Sequence, residues 1–211
     1  MGRIVLTLLV GLVGAGLVHI ATIFMVPRVA ENNAWGRLSA LGAPYEVVRI
    51  APLRDTSGQP SAPRQAARNA FSFVDPAFVV AGCRFSLEDG PVEIAASGVF
   101  DGFWSASIYD RKGDNLYSIN DRAAIEGVVD LVVGTREQIE AIDAMAPFTS
   151  EETSLPVILD VGEGYMTLRI LIDEESKRPA VDNFLRTVSC APLDAVGTAS
   201  TRSSQAGIAE Q

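Results

Sequence analysis

The sequence predicts a mainly β fold with a few helices, of the α+β class, in which an N-terminal single transmembrane helix is followed by one compact β-rich domain. Three observations predict it. Residues Ile4 to Val26 contain no Asp, Glu, Lys or Arg. Apolar and polar residues alternate with period two through much of the middle of the chain, the pattern of half-buried strands. Only two segments in that region carry the three-and-four spacing of an amphipathic helix.

At about 1.5 Å rise per residue, a helix over Ile4 to Val26 would cross the roughly 30 Å hydrocarbon core of a bilayer. A cleavable signal peptide has a shorter apolar stretch and small residues before the cut. Here His19 or Arg28 would stand three positions before a cut after Ala21 or Ala30, so residues 1–27 read as an uncleaved signal anchor, with removal of the segment as the alternative. Arg3 flanks one end of this segment and Arg28 and Arg37 the other, so the positive-inside rule does not select an orientation. Residues 28–42 place Val29, Leu38 and Leu41 among polar residues before Gly42, as expected of a short membrane-exit helix.

A β-rich soluble domain follows over 43–196. Pro52, Gly58, Pro60 and Pro63 mark 52–69 as a loop that separates a first strand from the rest. In Val79 to Leu87 the residues Val79, Ala81, Cys83, Phe85 and Leu87 share a face, and Arg84 and Ser86 the other. Phe103 to Asp110 repeats this, with Trp104, Ala106 and Ile108 on one side and Ser105, Ser107 and Tyr109 on the other. The turn Arg111-Lys112-Gly113-Asp114 then leads into Leu116 to Ile119 as a hairpin. Val92 to Ala96, Asp130 to Val133, Val157 to Val161 and Tyr165 to Ile172 are further strands, the last two joined through Gly162 and Gly164. Thr135 and Gln138 stand at capping-box spacing ahead of Ile139 and Ile142 and predict one helix. A second follows Pro179, where Val181, Phe184, Leu185 and Val188 form a stripe that ends near Cys190. From 197 to 211 the chain is small and polar and reads as a disordered tail.

Composition narrows the chemistry. The formal charge is −9 with no run of Lys or Arg, which argues against a nucleic-acid partner. The only histidine, His19, lies inside the apolar helix, so the soluble domain has no histidine for a catalytic triad or a zinc site, and no cofactor or metal is expected. His19 itself reads as an imidazole bonding a neighbouring helix, or as an intramembrane functional group. Gly11, Gly14 and Gly16 follow no strand and make no phosphate loop. Gly11 and Ala15 form a small-xxx-small pair, a face for a homo-oligomer or a chance outcome of membrane-helix composition. Cys83 and Cys190 are an even pair compatible with one disulfide in an oxidising compartment, which favours a periplasmic domain, whereas two buried free thiols would suit a cytosolic one.

Asp110 and Asp114 lack the alternating carboxylates of a calcium loop and read as a solvated turn, and Glu151-Glu152 and Asp173-Glu174-Glu175 as solvated charge at element ends. The candidate ligand-binding group is Trp104, Tyr109, Asn120, Asp121 and Arg122, which the hairpin is expected to bring towards one pocket. In that reading Asp121 serves as acid or base and Arg122 as an anion clamp. The competing reading makes Trp104 core and Asp121 with Arg122 a strand-end cap.

In order along the chain, Phe73-Val74-Asp75-Pro76, Cys83-Arg84-Phe85, Asp89-Gly90-Pro91, Phe103-Trp104-Ser105, Tyr109-Asp110 and Asn120-Asp121-Arg122, together with the leading apolar helix, resemble the bacterial domain-of-unknown-function 1254 family. The resemblance covers the chain apart from its tail. It implies a bacterial inner-membrane protein with a β-dominated domain and a companion membrane protein of the sister domain-of-unknown-function 1214 family, and it carries no catalytic residues. Two functions are therefore expected: an envelope module that binds a protein partner, or an enzyme or small-ligand receptor built around the hairpin cluster.

Overall fold

The computed structural model describes residues 2–29, 34–51, 75, 77–145, 147–148 and 154–193. Helix α1 (Gly2–Val29) is long and apolar enough to cross a membrane, and its side chains from 2 to 25 are exposed. It is followed by α2 (Ala34–Leu41), so the predicted exit helix over 28–42 is divided between the end of α1 and this separate element. The predicted loop over 52–69 and the tail from 197 lie outside the described residues.

Nine described strands form two sheets. They are β1 (Val48–Ala51), β2 (Phe78–Ser86), β3 (Val92–Ala95), β4 (Trp104–Asp110), β5 (Asn115–Asn120), β6 (Asp130–Gly134), β7 (Leu155–Ile158), β8 (Glu163–Leu171) and β9 (Ser189–Pro192). The first sheet runs β1-β2-β8-β4-β5 and is antiparallel throughout. The second runs β7-β6-β3-β9, with β6 and β7 parallel. Helix α3 (Arg136–Met145) follows β6 and α4 (Arg178–Thr187) precedes β9. The fold is thus α+β, with a long apolar helix ahead of a β-rich domain.

The period-two faces explain why two sheets form. Val79, Cys83 and Phe85 of β2, Trp104, Ala106 and Ile108 of β4, and Met166, Leu168 and Ile170 of β8 are buried in one cluster with Val92, Ile94, Leu131 and Val133 of the second sheet. Each strand therefore removes one face from water, and this common dry layer holds the sheets together. Cys83 of β2 and Cys190 of β9 are joined across it by a disulfide, with their Cα atoms 6.6 Å apart.

Both domain helices follow from their sequence signals. The Thr135 backbone N–H donates to Gln138 Oε1 at 2.9 Å and the Gln138 N–H donates to Thr135 Oγ1 at 3.3 Å, a reciprocal capping box that starts α3. Ile139 and Ile142 then cover Val132, on the outer face of the second sheet. Helix α4 sends Val181 and Phe184 into the main core.

Two expectations change. Gly162 lies where the chain passes from one sheet to the other and Gly164 already inside β8, because β7 pairs with β6 while β8 pairs with β2 and β4. Cys190 lies in an edge strand, β9, paired with β3, a strand that the spacing of the preceding helix hides.

Candidate functional site

The hairpin β4–β5 separates the predicted site residues instead of gathering them. Ser105 pairs with Asn120, whereas Tyr109 pairs with Asn115 near the turn. Four residue steps along β4 separate Ser105 from Tyr109, about 13 Å at roughly 3.3 Å per residue. The structure brings Trp104, Asn120 and Asp121 together at one end and leaves Tyr109 at the other.

At that first end Trp104 and Asn120 are occupied by the fold. Trp104 is 0 % exposed in the layer between the sheets, and its Nε1–H donates to Gly127 O at 3.0 Å. The Gly127 carbonyl belongs to a tight turn in which Glu126 and Gly127 take φ of 53° and 70°, so the indole bond holds a backbone conformation that few side chains adopt unaided. Asn120 Oδ1 accepts from the backbone N–H groups of Arg122 and Ala123, both at 3.1 Å. The Asp121 N–H donates to Trp104 O at 3.2 Å, while its Oδ1 is buried without a hydrogen-bond partner. Arg122 is exposed. Trp104 is therefore core, as the competing sequence reading held, while the turn is capped by Asn120 and not by the Asp121 and Arg122 side chains that reading named.

Tyr109 belongs to a different cluster, on the outer face of the first sheet. Its ring stacks on Tyr165 with centroids 5.1 Å apart and planes 15° from parallel. Trp35 of α2 lies 6.5 Å from Tyr165 at 57°. The guanidinium carbons of Arg84 and Arg111 each stand 5.2 Å from the Trp35 ring centroid. Arg111 also pairs with Glu163 at 2.7 Å, and Arg84 Nη2 donates to Gly42 O at 2.9 Å just beyond α2.

A small second core lies beside these contacts. Leu38, Ile50, Val80 and Tyr165 are buried together, with Trp35, Val48, Phe78 and Tyr109 packed around them. Gly82 allows the close approach, since a Cβ there would stand 3.1 Å from Leu38 Cδ2 and 3.0 Å from Ile50 Cδ1. Burial pushes the Tyr165 phenol up to about 12, with Tyr109 and Asp110 adding to the effect. Burial likewise lowers the Arg84 guanidinium, partly offset by Glu163. The short helix that follows α1 is thereby strapped to the first sheet by cation–π contacts, the Arg84 hydrogen bond to Gly42 O and apolar packing. Sequence reading missed this strap, although Trp35 and Leu38 at three-residue spacing and a glycine in mid-strand are its traces.

Beyond the strap, the described residues of the outer face are polar. The period-two rows place Arg169, Ser105 and Asn120 side by side, and Thr167, Ser107 and Ser118 in the next row. Ser118 Oγ lies 3.0 Å from Ser107 Oγ, and Arg169 and Ser118 are exposed. This polar face backs onto the dry layer around Trp104. Among the described residues no group of three or more His, Cys, Asp or Glu is placed to hold a metal ion.

Neither a family model nor a curated protein matches the chain. Among solved structures, the VPA0106 protein from Vibrio parahaemolyticus is similar over 57 % of this chain and 29 % of its own, with 11 % identity and a TM-score of 0.45. A protein from Burkholderia cenocepacia is similar over 56 % of this chain and 29 % of its own, with 15 % identity and a TM-score of 0.36. The chain therefore spans less than a third of the length of either protein.

Proposed function

We propose that this chain is a membrane-anchored interaction module of the bacterial envelope. Its β-rich domain would lie in the periplasm, and the polar outer face of the first sheet would bind a companion membrane protein. The observation that carries the reading is the strap. Trp35 follows the end of α1 by six residues, at most about 21 Å of extended chain. The face that holds α2 is thus kept close to the end of the apolar helix, where a second membrane protein can meet it. The inter-sheet disulfide supports an oxidising compartment. The resemblance noted for the sequence supports a sister protein as the partner.

An antiparallel sheet with one dry face and one polar face can recognise a protein through the polar face without loss of its core. Co-purification from native membranes tests the proposal. The wild-type chain is expected to retain a stoichiometric membrane protein, and Ser107→Trp, in the middle of the polar face, to lose it while its thermal melt stays within a few degrees of wild type. Retention of the same partner by Ser107→Trp, or absence of any stoichiometric partner, would refute it.

A further inference from the structure

On β1 the strap and a second feature alternate. Val48 and Ile50 pack with α2, so period two sends Arg49 to the opposite side of the strand, where its Nη1 lies 2.7 Å from Asp182 Oδ1 of α4. One turn earlier in the same helix, Arg178 is only 9 % exposed and grips Glu175 with Nε at 2.6 Å and Nη2 at 2.8 Å. Residues four apart on a helix share a face, so Arg178 and Asp182 lie over the same surface of α4 and the Asp182 charge acts on Arg178.

These pairs leave polar atoms over. Arg49 Nε, Arg49 Nη2 and Arg178 Nη1 are buried without a hydrogen-bond partner. Asp182 Oδ1 is in ion contact with Arg49 but accepts no hydrogen bond, because the contact is poorly aligned for one. Three donors and one acceptor, carried by a strand and by one face of a helix, are thus desolvated. Buried groups of this kind are normally satisfied, and guanidinium donors most of all. The complementary group has several acceptor oxygens in the spacing of a guanidinium fork and, in addition, one hydroxyl.

We propose that Arg49, Arg178 and Asp182 form a binding site for a protonated oxyanion of the phosphate class. Its acceptor oxygens take Nε and Nη2 of Arg49 and Nη1 of Arg178, and its remaining O–H donates to Asp182 Oδ1. The Arg49 and Asp182 side chains are 24 % and 23 % exposed and form the rim through which the ion enters by rotation of the long Arg49 side chain, while Arg178 forms the floor. Asp182 gives the site its selectivity. Sulfate has the size and shape of phosphate but no proton near neutral pH, so it would set an oxygen anion against the carboxylate. A phosphodiester headgroup fails for the same reason, whereas a phosphomonoester keeps the needed hydroxyl. This site is independent of the recognition face on the first sheet.

Calorimetric titration of the detergent-solubilised full chain at constant ionic strength tests the site, with inorganic phosphate as the probe and sulfate, methyl phosphate and dimethyl phosphate in parallel. One saturable site for inorganic phosphate is expected, with sulfate and dimethyl phosphate at least about tenfold weaker, as the loss of one charge-assisted hydrogen bond predicts. Methyl phosphate binding as tightly as inorganic phosphate assigns the natural group to an ester, and weaker binding assigns it to the free ion. Arg49→Lys, which keeps the charge but removes the fork, is expected to weaken phosphate by about tenfold or more. Asp182→Asn, whose amide can donate, is expected to bring sulfate close to phosphate. Absence of saturable phosphate binding, equal binding of sulfate by the wild type, or unchanged isotherms in both variants overturns the proposal. If Arg49→Lys does not fold, the wild-type comparison of phosphate with sulfate decides alone.

Discussion

Loss of the disulfide between Cys83 and Cys190 is expected to be among the most damaging single perturbations of the soluble domain. The bond joins β2 of the first sheet to β9 of the second and closes a loop of 107 residues. In the chain-entropy description a loop of that length confines the unfolded chain by about 5 kcal/mol at 25 °C. Small domains are stable by about 5 to 15 kcal/mol, so this one link is a large share of the total. Geometry adds a second reason. Among the described residues β9 is an edge strand paired with β3, and the bond ties it to β2. Urea denaturation of the detergent-solubilised protein, followed with and without reductant, measures the effect. With a slope of about 2 kcal/mol/M, reduction or the double change Cys83→Ala, Cys190→Ala should lower the midpoint by about 2.5 M. Thiol titration of the denatured, unreduced protein should find none, and two after reduction. Two free thiols before reduction, or a midpoint indifferent to reductant, would refute the reasoning and with it the main support for an oxidising compartment.

The remaining predictions concern the core, the strap and the topology. Trp104→Ala should cost about 3 to 5 kcal/mol for the cavity and roughly 1 more for the bond to Gly127, whereas Arg122→Ala, at an exposed position, should stay within about 0.5 kcal/mol; equal thermal melts for the two variants would contradict the burial seen here. Tyr165 has a folded-state phenol raised to about 12 from the ordinary 10, so its neutral form is favoured by folding. Its contribution should be intact below pH 10 and fall away as the pH climbs towards 12, and Tyr165→Phe should flatten this stretch of the stability profile; a profile unchanged by the substitution would exclude the assignment. A reporter active only outside the cytoplasm, fused after Gly197, should be active, and activity of a cytoplasmic reporter alone would reverse the proposed orientation.

Much of the architecture was legible because it rests on local rules. The absence of charge from Ile4 to Val26, the alternation through Trp104, Ala106 and Ile108, and the Thr135–Gln138 box each depend on neighbours within a few residues, and each has its structural counterpart in α1, β4 and the start of α3. The candidate site was less legible. A hairpin implies that its strands touch but does not say which residues share a rung until the register is set, and the register puts Asn115, not Asn120, opposite Tyr109. Nor does alternation say what covers the second face of a strand. Tyr109 and Arg84 read alike as outward residues, yet both belong to the cluster under α2, because Gly82 opens room for that helix.

What the sequence by itself determined, then, is the apolar helix, the β-rich character of the domain, the inward set of side chains and both domain helices, since hydrophobic period and capping are properties of a short window. The tertiary structure alone decided the division of the strands into two sheets, the crossing of the chain from β7 to β8, the pairing of β9, the docking of α2 on the first sheet through Trp35, and the meeting of Arg49 with Asp182. Each of these joins residues far apart in the chain, and a side chain's partners across such a distance are set by how whole faces pack, which no local pattern records.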